Sequence, residues 1–193
     1  MRTLNYKTAL QVASLFLPEI PRVMHAQLNG IYHHNGHIVA SDATALIRLS
    51  ANYEPQREGK ILDIDGNPVQ TDGEHYPKYE QIIRAAIEDN HTELWPDWNV
   101  LARLCWFYTG LNPENADKAC TINDHVFAVR NVYRVAMTAL YLGLRSMFVP
   151  KNPADAHPSF ITDADTDAFI LIANGRSDNP VFKYDAGLAE PNF

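Results

Sequence analysis

The chain is poor in cysteine: Cys105 and Cys120 are the two in 193 residues. They are too few for a disulfide framework and lack the close spacing of metal-ligand pairs. A disulfide-stapled secreted domain is therefore excluded, and a reducing cytoplasm is the expected setting. Long apolar runs are also missing. A membrane helix needs roughly 20 apolar residues, and the longest candidate, Val135 to Val149, is interrupted by Gly143 and Arg145. The N-terminal stretch to Pro21 is broken by Gln11 and Ser14 and shows no convincing small-residue cleavage site, so it is expected to belong to the fold. Positive charge is short as well, with 16 Lys and Arg against 23 Asp and Glu for a net charge of −7. That opposes indiscriminate binding to nucleic acid, whose affinity comes from neutralising phosphates, although a local basic stripe is compatible with it. There is no Gly-rich phosphate loop, nucleophile elbow or His-Glu zinc helix, and no acid pair in a persuasive setting. The chain is expected to be noncatalytic, with no cofactor and no metal.

With 46% hydrophobic and 20% charged residues, the composition is that of an ordinary globular protein, and the length suits one compact body. From Tyr6 to Leu17 an apolar side (Leu10, Ala13, Leu15, Phe16, Leu17) alternates with Lys7, Gln11 and Ser14, which predicts an amphipathic helix closed by Pro18. Asn35-Gly36 then predicts a tight hairpin, because both residues tolerate the positive φ of a primed turn. Strands are expected at Leu28 to His34, His37 to Ser41 and Ala45 to Ser50. A second small hairpin is expected around Asp65-Gly66, followed by a connector through Tyr76-Pro77. Trp98 to Phe107 fits either a helix or a buried strand. Beyond it, the spacing predicts a strand at His125 to Asn131, a helix at Asn131 to Leu144, and strands near Arg145 to Val149, Ser159 to Asp163 and Ala168 to Asn174. A strand, a helix and three strands thus occur twice.

Three clusters invite chemistry. His33, His34 and His37 surround the Asn35-Gly36 turn. His34 and His37 share a side while His33 points away, so two ligands at most converge and a solvent-exposed hairpin tip is expected. "DIDGNPVQTDGE" sets Asp63, Asp65, Asn67 and Glu74 at calcium-loop positions, but Pro68 occupies the place that needs glycine. "DADTDAF" has Asp163, Asp165 and Asp167 at similar spacing with Ala168 in that place, so a solvated turn is expected. The second helix is more suggestive. Arg130, Arg134, Thr138, Tyr141 and Arg145 recur every three or four residues, a polar line set opposite Val132, Val135, Met137, Ala139, Leu140 and Leu144.

Two stretches carry a family likeness. "HIVASDATALIRLS" has an alternating strand running through Asp42 into a second strand, and "DGEHYPKYEQII" has an acidic-Gly, aromatic-Pro-x-Tyr, aliphatic pattern at Asp72, Gly73, Tyr76, Pro77, Tyr79, Ile82 and Ile83. On these and on the doubled unit the chain resembles the DNA sliding-clamp superfamily, in particular the bacterial DNA polymerase processivity clamp. The resemblance implies an α+β fold in which two strand-helix-three-strand units set helices on one face of antiparallel sheets. The first unit is expected at about 1–85 and the second at about 98–175, with a C-terminal tail at 176–193. It further implies association with double-stranded DNA or replication proteins and self-association through sheet edges. The alternative is a protein-interaction module that keeps the fold without DNA binding. Helices of such a fold touch phosphates without reading bases, which makes Arg130, Arg134, Arg145, Lys7 and Gln11 the candidate DNA contacts. The departures are that this chain holds one two-unit domain where a bacterial clamp has three, and that Ala43, Thr44 and Ala45 replace the glycine and basic residues after the hairpin aspartate.

Overall fold

The computed structural model describes residues 3–71, 73–155, 157–163, 165–177 and 179–188. The chain divides into two units, residues 1–83 with 163–170, and residues 84–162 with 171–193.

The first unit opens with helix α1 (Tyr6–Ser14), whose first turn is capped by the Asn5 side chain accepting from the Lys7 N–H. Ala9, Val12 and Ala13 form its buried face, with Phe16 just beyond, and they pack on strands β1 (Ile31–His34), β2 (His37–Ser41) and β3 (Ala45–Ser50). Asn35 and Gly36 both take positive φ, 52° and 73°, so β1 and β2 form the expected antiparallel hairpin with His34 opposite His37. The β2–β3 turn bends at Asp42, whose buried carboxylate accepts from the Thr44 and Ala45 backbones and the Thr44 hydroxyl. Ala43 sits there at φ 73°, the left-handed region that suits glycine. Strand β4 (Ile61–Leu62) pairs with β1. Gly30, at the entry to β1, leaves no room for a Cβ between Val69 and Ile61. Ahead of α1 a single parallel bridge joins Leu4 to Ala51. Beyond the Asp63 turn and the connector, helix α2 (Tyr79–Glu88) leads into the second unit.

The second unit contains strand β5 (His91–Trp95) and helix α3 (Trp98–Leu111), which resolves the ambiguity at Trp98 to Phe107 in favour of helix. Asp97 caps α3 by accepting from the Asn99 and Val100 N–H groups. Strands β6 (Ala119–Ile122) and β7 (His125–Ala128) form a hairpin whose turn, Asn123 and Asp124, also has two positive φ values. Helix α4 (Val129–Leu142) packs along α3 and ends at Gly143. Strand β8 (Met147–Pro150) pairs with β5 and with β9 (Ser159–Asp163), and β10 (Ala168–Ile172) follows, its residues 168–170 belonging to the first unit. The sequence from β7 to β10 is the expected strand, helix and three strands.

The segment read as a tail is tied down where it is described. Strand β11 (Lys183–Tyr184) joins β6 in parallel and β12 (Gly187–Leu188) joins β5. Asn123 and Ala186 exchange two hydrogen bonds. Among the described residues no helix is long and apolar enough to cross a membrane.

Candidate nucleic-acid and protein interface

The hairpin histidines are not a solvent-exposed tip. His33 is wholly buried: its Nδ1 faces the Ile31 and Lys60 carbonyls at 3.1 and 3.3 Å, and its Nε2 accepts from the Tyr6 hydroxyl at 2.7 Å. Acceptors at Nδ1 place the proton there, which leaves Nε2 free to accept. Arg57 donates in turn to the Tyr6 oxygen at 3.1 Å, and its guanidinium lies over the Tyr6 ring. The unit thus pins the start of α1 to β1. Burial holds the His33 imidazole below its ordinary range, so it stays neutral. His34 meets the Tyr79 hydroxyl at 3.0 Å, and His37 meets Asp167 at 2.7 Å. Asp167 also accepts from Arg48 at 2.9 Å, so the residue expected in a solvated turn is an ion-pair centre. Among the described residues, no group of three or more His, Cys, Asp and Glu side chains is arranged to hold a metal.

The connector is built into the first unit by aromatic contact. Tyr76 stacks on Tyr32 at 5.0 Å between ring centroids, and Tyr32 stacks on His34 at 5.3 Å. Burial, with Glu80 beside it, pushes the Tyr79 hydroxyl up to about 12. A hollow of about 230 Å³ lies against Tyr32, Pro77, Lys78 and Tyr79. Asp72, part of the connector pattern, lies outside the described residues.

The five candidate DNA contacts do not share one setting. Lys7 and Gln11 are exposed one turn apart on α1, in the first unit. On α4, Arg130 is half-buried and ion-paired with Asp117. Arg134 is buried and donates to the Asn131 side chain. Arg145 is exposed, past the end of α4, at the lip of a cavity of about 370 Å³ formed with Trp95, Trp98, Leu140 and Leu144. The expected amphipathic phase of α4 is therefore rotated. Asn131, Arg134 and Thr138 face inward because α3 and the short 3-10 turn Pro113–Asp117 cover that side. Tyr133, Met137, Leu140 and Tyr141 face outward instead.

That outward stripe was missed because apolar character was equated with burial. The clue lay in α3, whose own apolar residues exceed what one buried face holds: Trp98, Leu101, Ala102 and Cys105 are buried, while Val100, Trp106, Phe107 and Leu111 are exposed.

No family model and no curated protein matches the chain. Solved structures do. The beta sliding clamp of Caulobacter crescentus superposes with a TM-score of 0.65 at 12% identity, covering 89% of this chain and 63% of that one. The DNA polymerase sliding clamp of Pseudomonas aeruginosa gives 0.58 at 12% identity, covering 89% and 66%. That of Bacillus subtilis gives 0.58 at 12% identity, covering 89% and 62%. The chain thus spans less than two thirds of the length of these clamps. It has the fold of the bacterial DNA polymerase sliding clamp.

Proposed function

We propose that the chain is a noncatalytic clamp-like protein that associates with the DNA replication machinery, and that its direct partners are proteins. The fold supports the first half. The second is carried by the outer surface of α4, where the line expected to meet phosphates is turned inward at Arg134 and ion-paired at Arg130, and the exposed stripe is aromatic and aliphatic. Phosphate contact needs accessible cations, whereas an exposed apolar patch is the usual mark of a protein-binding surface. The net charge of −7 favours the same reading.

Direct contact with double-stranded DNA is the second reading, supported by Lys7 and Arg145, which are exposed and have no ion pair among the described residues. The test is a titration of the full chain against purified replicative DNA polymerase from the same cell, read by sedimentation. Saturable binding is expected. No binding to the polymerase, together with salt-sensitive binding to duplex DNA, would overturn the proposal in favour of the second reading.

A further inference from the structure

The second unit presents more apolar surface on its helices than a solvated helix pair needs. On α4, the exposed stripe is Tyr133, Met137, Leu140 and Tyr141, spaced at one helical turn and entirely uncharged. On α3, packed alongside, Trp106 is 68% exposed, Leu111 67% and Phe107 53%, and Val100 is also open. Among the described residues of the two helices, Arg103 is the one exposed charged side chain. Ordinary exposed helix faces are rich in charge, as α2 shows with Glu80, Arg84 and Glu88.

We infer that this α3/α4 face pairs with the same face of a second copy of the chain. The inference rests on the reading that the face meets protein, and it adds the identity of one partner. Size is the first reason. A whole aromatic side chain offers about 150–250 Å² and an aliphatic one somewhat less, so the eight open side chains present about 700 Å². A stable interface of standard size buries about 800 Å² on each side, so the apolar stripe with its immediate rim is enough for a two-fold dimer.

Charge is the second reason. Two copies of a chain carrying −7 repel one another, and the surface best able to bring them together is one without acidic groups. The α3/α4 face exposes no Asp or Glu among the described residues. In an isologous contact the same patch serves both partners; the α4 stripe is uncharged, and Arg103 on α3 is the single exposed charge each copy brings among the described residues of these helices. The exposed Trp106, Tyr133 and Tyr141 are of the residue types whose rigid, large-area side chains carry most of the energy in such contacts.

The experiment is sedimentation velocity of the full chain over a hundredfold concentration range, beside the variants Trp106→Glu and Tyr141→Glu. Far-UV circular dichroism verifies that both variants fold. The expected result is a species of twice the 21.8 kDa chain mass that either substitution converts to monomer. A dimer indifferent to both substitutions would overturn the inference and move self-association to the sheet edges. A chain that stays monomeric throughout would also overturn it, and polymerase binding by that monomer would leave the proposed function standing. A monomer whose tryptophan fluorescence is quenched by a single-stranded oligonucleotide would overturn it in favour of base stacking.

Discussion

Replacing Tyr6 by Phe removes one oxygen and tests the link that fixes α1 to β1. In the wild type that oxygen donates to the wholly buried His33 Nε2 at 2.7 Å and accepts from Arg57 at 3.1 Å. The Phe ring fills the same space, but Nε2 then has no donor, and a buried acceptor left unsatisfied costs about 1–3 kcal/mol. For a chain of this length each kcal/mol moves the melting temperature by about 2–4 °C. The same network sets a pH dependence. Burial depresses the His33 pKa in the folded state below the 6.5 of a free imidazole. The unfolded chain therefore binds the extra proton first, and stability falls as the pH drops below about 6.5. The groups facing the ring are the Tyr6 hydroxyl, Arg57, Glu58, the Tyr53 edge and the Ile31 and Lys60 carbonyls. Glu58 favours the protonated ring, but desolvation outweighs it. Urea unfolding of both proteins at pH 7.5 and 5.5 measures these effects. A variant as stable as the wild type at pH 7.5, or a wild type more stable at pH 5.5, would refute the reasoning.

Further substitutions at three positions follow from local geometry. Ala43→Gly relieves a left-handed residue: the strain of about 1–2 kcal/mol is partly offset by glycine's extra chain entropy, about 0.5–1 kcal/mol, so a small net gain in the urea midpoint is expected. Gly30→Ala places a Cβ 2.6 Å from Val69 Cγ2 and 2.7 Å from Ile61 Cγ2, and overpacking of this kind costs about 1–3 kcal/mol, measurable by thermal unfolding. Arg134→Glu buries a carboxylate where a guanidinium was hydrogen-bonded to Asn131, with an expected loss of roughly 3–5 kcal/mol. Arg134→Met, of similar length and uncharged, is expected to lose less, as chemical denaturation of the pair will show.

Legibility in the sequence followed the strength of local signals. Asn35-Gly36 placed β1 and β2 because only a primed turn uses two positive φ values so cheaply, and the β9 limits fell where the alternation placed them. Strands β5 and β6 escaped notice because five- and four-residue segments such as His91–Trp95 and Ala119–Ile122 carry too little periodicity. Strands β11 and β12, two residues each, exist only through their partners. Helix α2 was hidden behind the Tyr76-Pro77 connector, and the hairpin histidines were misplaced because their partners Tyr6, Tyr79 and Asp167 are distant in the chain. The helix at α4 was legible, but its orientation was not. Val132, Val135, Ala139 and Leu144 are buried as the periodicity placed them, but burial also takes in Arg134 and Thr138 from the polar line while Met137 and Leu140 are left exposed, so the buried side is wider and turned relative to the expected one.

The measurement that most directly tests protein rather than phosphate contact is fluorescence anisotropy of labelled duplex DNA titrated with the full chain at low salt. The account predicts no saturable binding, for the wild type and for Lys7→Glu and Arg145→Glu alike. Binding that weakens steeply with added salt and is lost in those two variants would contradict it.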